Sequence, residues 1–186
     1  GGTTTDAIRY RVLDPEAQTW GAVQAASAID AATVNRALQA VQVYSSPTRD
    51  EKTMISRHFN GTTQYIYAQV FRGGSWRNVV LLSFWNASTF LDVQNFSGTY
   101  LENGDFMAVY SDNTTIPKFR IWNGASWSGA ISTRNIGGIP VYIVAKARPG
   151  TNEVMAAFFD QGSDTNTQYF NGGAYVTGSW TLHTEH

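Results

Sequence analysis

The chain repeats itself, and the repeat limits its fold more than any other feature. Phe106-Met107-Ala108-Val109-Tyr110-Ser111-Asp112 lies over Val154-Met155-Ala156-Ala157-Phe158-Phe159-Asp160 at a spacing of 48 residues. Asn123-Gly124-Ala125-Ser126-Trp127-Ser128-Gly129 lies over Asn171-Gly172-Gly173-Ala174-Tyr175-Val176-Thr177 at the same spacing of 48. One shift that aligns two separated blocks marks a structural repeat, a unit that buries its faces against copies of itself. An earlier copy is looser. Arg72-Gly73-Gly74-Ser75-Trp76 precedes Asn123 to Trp127 by 51 residues while Met54 precedes Met107 by 53, so the reading places about two inserted residues between these blocks. Tyr10 to Gly21 matches only the closing half of a copy.

Each copy reads as strands. Val141 to Ala147 is rich in β-branched and aromatic residues and stops at Arg148-Pro149-Gly150. Glu153 to Phe159 is a second run, ended by Asp160-Gln161-Gly162-Ser163-Asp164, and Thr167 to Phe170 is a third. Asn171-Gly172 accepts the positive φ of a tight turn, so Tyr175 to Thr177 is expected to return as a fourth strand. Four short antiparallel strands at this period are the signature of a β-propeller blade. The expected fold is all-β and propeller-like, with a half-blade at about 6–24 and blades at about 36–83, 88–132 and 139–180. Ala25 to Val41 is alanine-rich, with Ile29, Val34, Leu38 and Val41 near helical spacing. Because its end aligns with the first strand of the next copy, Leu38 to Tyr44 is read as strand and Ala25 to Ala37 as loop or one helical turn. Three and a half blades leave a ring open, so the expectation is completion by more chain or by self-association.

Composition removes several function classes. With no cysteine, there is no disulfide framework, thiolate metal site or cysteine nucleophile. Thirteen Lys+Arg against 14 Asp+Glu give a net charge of −1, without the basic excess of a nucleic-acid surface. No apolar stretch approaches the ~20 residues of a membrane helix. Gly1-Gly2-Thr3-Thr4-Thr5 reads as a processed end, a linker or a fusion scar. The abundance of Thr, Ser, Asn, Gly and aromatics points to an extracellular or cell-surface protein.

Catalytic and cofactor signals are weak. Glu102, Asp105 and Glu153 fall in turns without a partner of defined geometry, and no nucleophile elbow, phosphate loop or HExxH helix occurs. His183, Glu185 and His186 read as a solvated chain end rather than a metal site. Asp112 and Asp160 recur at the end of the second strand, where turn capping is favoured over Ca²⁺ ligation. No catalytic residue, metal or cofactor is assigned. Asn60, Asn86, Asn95 and Asn113 each open an N-x-[ST] sequon and are candidate glycosylation sites.

The aromatic, Asn-Gly, aromatic signature of Ile121-Trp122-Asn123-Gly124-Ala125-Ser126-Trp127-Ser128-Gly129 resembles the blade motif of extracellular β-propeller repeats. It is loosely similar to the WDGxGWxxG hairpin of fucose-binding propeller lectins. In that family the resemblance implies an Arg, a Glu and a stacking Trp around the sugar. The strand before Asn123 offers Lys118 and Arg120, the one before Asn171 offers Gln168, and neither carries a Glu at the matching place.

Trp76, Trp127 and Tyr175 recur at one position, and Phe71, Trp122 and Phe170 at another. One set packs between blades and the other is available to stack on sugar faces, which makes Trp76, Trp122, Trp127 and Tyr175 the candidate ligand-binding residues. The expected function is a non-enzymatic extracellular scaffold or adhesion module that binds a glycan or a surface protein. The alternatives are a structural subunit of a self-assembling filament or oligomer, and an accessory module of a glycan-active enzyme.

Overall fold

The computed structural model describes residues 8–27, 29, 37–87 and 93–184. The first four strands, β1 (Arg9–Tyr10), β2 (Leu13–Asp14), β3 (Thr19–Trp20) and β4 (Gln24–Ala25), make one hairpin in which β2 pairs with β3 and β1 with β4. Three four-stranded antiparallel sheets follow. The first holds β5 (Ala37–Ser45), β6 (Glu51–Phe59), β7 (Thr63–Arg72) and β8 (Ser75–Asn86). The second holds β9 (Phe96–Tyr100), β10 (Phe106–Tyr110), β11 (Lys118–Trp122) and β12 (Ile131–Ser132). The third holds β13 (Pro140–Ala147), β14 (Val154–Asp160), β15 (Thr165–Phe170) and β16 (Trp180–Thr184). In every sheet the spatial order of strands is the chain order, as in a propeller blade, and the sheets do not close into a ring.

Side-chain alternation stacks the blades. Phe106, Ala108 and Tyr110 on β10, with Trp122 across the ladder, pack against Ile55, Ile66, Ala68 and Val70 of the first blade. The alternate residues Met107 and Val109, with Phe119 and Ile121, pack against Ile143, Val154, Ala156, Phe158 and Trp180 of the third. β10 is therefore buried on both faces, which explains its unbroken apolar run. β14 is buried at alternate positions only, because one of its faces has a neighbouring blade and the other has none. The inner strands are also tied together: Ser97 and Thr99 on β9 accept hydrogen bonds from the Ala145 and Ala147 amides on β13, at 3.0 and 3.1 Å.

The N-terminal hairpin lies against the first blade as the outer half of a preceding one would. Tyr10 meets Phe71 and Trp76 edge-on at 5.9 and 6.2 Å, and Gln69 donates to the Ser27 carbonyl at 3.2 Å. The expected strand from Leu38 to Tyr44 is present as β5. Of the Ala25–Ala37 connection, Ala26 and Ile29 are buried, and Ala28 and residues 30–36 lie outside the described residues.

Three details differ from the sequence reading. Phe71 pairs with Trp76 as Trp122 pairs with Trp127, and Phe71 sits opposite Lys52 as Trp122 sits opposite Phe106. Thr53, and not Met54, therefore occupies the position of Met107. Since a one-residue slip reverses the face, Met54 points away from the second blade while Met107 points toward the third.

The second difference is the fourth strand of the last blade, which is β16 and not Tyr175 to Thr177. Tyr175 is held out of the ladder because its hydroxyl is bonded to the second blade, and a 3-10 turn at Thr177–Ser179 intervenes. Third, His183 pairs with Thr167 within β16 rather than fraying, while Glu185 and His186 lie outside the described residues.

Candidate binding site at the blade rims

The loops that join the first and second strands of each blade gather at one rim with the Asn-Gly hairpins. A carboxylate stands at the start of the second strand in the first blade, Glu51, and immediately before it in the other two, Asp105 and Glu153. Sequence reading missed Glu51. The signal lay in the hairpin register, which was obscured by the false methionine match.

Between blades one and two, Glu51 is only 2% exposed. Its Oε1 accepts from Arg49 Nη2 and from the Tyr100 hydroxyl, both at 3.2 Å, and Tyr100 also shares a 2.7 Å hydrogen bond with Thr53. The Arg49 guanidinium donates to the Gly104 carbonyl and packs against Gly124. Gly124 has φ +89, and an added Cβ would lie 3.0 Å from Arg49, so glycine there serves both the turn and the arginine's passage. Arg72 reaches across to the Gly124 carbonyl at 2.8 Å. Buried Arg49 Nε and Glu51 Oε2 make no hydrogen bond among the described residues, a condition that costs about 1–3 kcal/mol per group when nothing satisfies it.

The recurring aromatics clasp blade to blade. The Trp127 indole donates to the Asn78 carbonyl of the first blade at 2.9 Å, lies 5.7 Å from Trp122 and meets Phe106 edge-on at 6.3 Å. Tyr175 donates to Asp105 of the second blade at 2.7 Å, receives a 3.0 Å bond from Asn103, and stacks on Phe170 at 5.9 Å. Trp76 holds the corresponding place against Tyr10. All three rings are half-buried, so each keeps an edge at the rim. Trp122 is different: at 2% exposure it belongs to the core between blades and offers no face to a ligand. The parity of β11 turns it inward beneath Trp127.

Burial pushes the Tyr175 phenol up to about 12, the Asp105 carboxylate adding to the effect and the Asn103 bond opposing it. Burial likewise pushes Tyr44 up to about 12, against hydrogen bonds from Ser97 and Gly98. Because these folded pKa values exceed the ordinary 10.0, the neutral phenols contribute stability fully below pH ~10, and this is lost as pH rises toward ~12. We expect denaturation midpoints to fall across that window, together with delayed phenolate absorbance. A normal tyrosine titration with no loss of stability would refute the assignment.

The acids elsewhere have structural partners. Asp160 accepts from the Gly162 and Asp164 amides at 2.8 and 3.3 Å, which is the expected turn cap. Asp112 accepts from Thr114 at 2.6 Å and pairs with Lys118. Glu153 pairs with Arg148 at 3.0 Å, and its carboxyl is held below the usual range by hydrogen bonds from Tyr169 and Arg148. Among the sequons, Asn95 is only 4% exposed, so the folded chain has no room for a glycan there. Asn60 caps its own turn through the Thr62 and Thr63 amides at 3.0 and 2.7 Å, whereas Asn86 and Asn113 are exposed. Among the described residues no helix is long and apolar enough to cross a membrane.

No protein-family model matches this chain, and neither does any curated protein. Solved structures do resemble it in fold. The NanB sialidase of Streptococcus pneumoniae is 11% identical, with a TM-score of 0.55 over 96% of this chain and 28% of its own. AofleA of Arthrobotrys oligospora is 10% identical, with a TM-score of 0.56 over 95% of this chain and 49% of its own. The Aleuria aurantia lectin, solved with Fucα1-6GlcNAc, is 12% identical, with a TM-score of 0.52 over 97% of this chain and 53% of its own. The chain thus spans between 28% and 53% of the length of these proteins. The likeness is one of fold, and it agrees with the propeller-lectin resemblance carried by the Asn-Gly hairpins.

Proposed function

We propose that this chain is a non-enzymatic carbohydrate-binding module of an extracellular or cell-surface protein, engaging sugars at the rim crevices between blades. The reading is carried by the crevice between blades one and two. There the half-exposed Trp127 ring shares a rim with exposed Arg72 and with the partly exposed Arg49 guanidinium, which buried Glu51 holds from behind. An aromatic surface beside guanidinium donors matches the two sides of a pyranose, whose C–H face stacks on a ring while its hydroxyls accept hydrogen bonds. The Aleuria aurantia lectin, a solved structure of this fold, supports the same reading.

The non-enzymatic part of the proposal draws on how the acids are used. Glu51 and Asp105 are bonded to the neighbouring blade through Tyr100 and Tyr175, and Asp160 is spent on a turn. None of these carboxylates is poised against another across an open cleft, the arrangement that two-carboxylate glycoside hydrolysis uses.

Of the four aromatics expected to meet ligand, Trp76, Trp127 and Tyr175 remain in the proposed site, with Trp122 as support beneath. Glycan-array binding by the wild-type chain, lost at least tenfold in Trp127→Ala with an unchanged fold, is the expected result. An array without hits, or equal binding by the variant, would count against the site.

A further inference from the structure

The two ends of the blade stack expose apolar side chains where its middle buries them. Met155 and Phe159 on β14 are 49% and 45% exposed, and Tyr142 on β13 is 47% exposed. They share one face of the third blade, since Tyr142 pairs with Phe159 and Met155 stands beside it in the strand alternation. At the other end, Val41 and Val43 on β5 are 44% and 55% exposed and lie on the face of the first blade turned away from the second. Isolated exposed apolar residues are ordinary, but two such clusters on the end faces of a stacked array mark interaction surfaces.

The occupant of each face follows from the interface inside the chain. Met155 holds in the third blade the place that Met107 holds in the second, one strand pair from the Asn-Gly hairpin. Met107 is fully buried because the inward face of a following blade covers it. Val43 has the corresponding relation at the opposite end. It occupies the inner-strand face on which Phe96 and Ile143 in the other two blades are wholly buried by a preceding blade. Each end therefore displays one half of the blade-to-blade contact already formed twice within the molecule. Among the described residues the N-terminal segment meets this face of the first blade around Phe71 and Trp76 and at Gln69, while Val41 and Val43 on the inner strand β5 stay exposed.

We propose that a second copy of this chain docks head to tail, the β5 side of the first blade in one copy seating on the β13–β14 face of the third blade in the other. Two copies give each other one face of both kinds, so two identical heterologous contacts close the ring under two-fold symmetry. The length agrees, because one copy spans 49% of AofleA and 53% of the Aleuria aurantia lectin. Capping the end faces also withdraws the apolar inner strands from unspecific pairing. This pairing is independent of any sugar binding.

Light scattering of the 186-residue chain tests it. At about 100 µM the expected mass is twice 20.5 kDa. Phe159→Asp on one face and Val43→Asp on the other each remove one half of both contacts, so each variant is expected at 20.5 kDa with unchanged circular dichroism. Mixing the two variants restores one intact contact and returns a two-chain species. A monomeric wild type, a mass above two chains, or a pair that survives both substitutions overturns the proposal. So does a mixture that stays monomeric, since only head-to-tail docking predicts the rescue.

Discussion

Trp122→Ala is expected to lower the unfolding free energy by about 3 kcal/mol, toward the lower end of the range for buried aromatic truncation. The ring is wholly enclosed between the first two blades, beside Phe106 and beneath Trp127, and its loss leaves a cavity that two hydrogen-bonded sheets cannot collapse to fill. The cost is moderated because Trp122 Nε1 is buried without a hydrogen-bond partner among the described residues, so alanine also removes an unsatisfied donor. Trp122→Phe should then cost less than about 1.5 kcal/mol, because Phe71 and Phe170 fill this position in the other blades and the donor disappears with the indole. Urea titrations of the two variants decide the matter. Equal losses would show that the indole nitrogen makes a hydrogen bond.

Gly98→Val is the second large effect. Gly98 lies in β9 directly over the Phe106 ring, and a Cβ added there would overlap Phe106 Cζ and crowd both of its ring neighbours, at 3.0 and 3.1 Å. The ring is fully buried against Tyr44 and Tyr100, at 5.2 and 4.9 Å, so it has nowhere to move without opening the contact between blades. Overpacking of this kind costs about 3 kcal/mol, and it should be visible as a drop in melting temperature. The double variant Gly98→Val with Phe106→Leu is expected to recover part of the loss, since the smaller side chain vacates the space. A Gly98→Val chain as stable as wild type would mean that the inner strand shifts easily, contrary to its ladder with β10.

Much of this fold was legible in the sequence because its signals are local and repeated. The Asn-Gly and Gly-Gly turns, the Pro-Gly breaker and the β-branched runs each specify a strand or a reversal within a few residues, and the constant spacing shows that the same reversal recurs. Where the reading failed, the missing information was non-local. Met54 matched Met107 by identity, but the two project to opposite faces, and only the ladder from Lys52 to Phe71 shows the slip. Tyr175 looked like strand because its neighbours permit strand, whereas its hydroxyl bond to Asp105 keeps it outside. Glu51 went unseen because its partners, Arg49 and Tyr100, meet it only after two blades have packed.

The candidate site shows the same division. Sequence picked out two recurring aromatics per blade without deciding which ring turns inward. The pairing of Trp122 with Phe106 places it in the contact between blades, while Trp127, displaced from the ladder to an isolated bridge, stays at the rim. By itself the sequence determined the unit: four strands, their turns and a period of 48 residues, all set by steric preferences of neighbouring residues and by alternation along a strand. Tertiary structure alone decided which face of each unit is interior. A face becomes interior only when another blade removes it from water, and in this chain that holds for both sides of the second blade and for one side each of the first and the third.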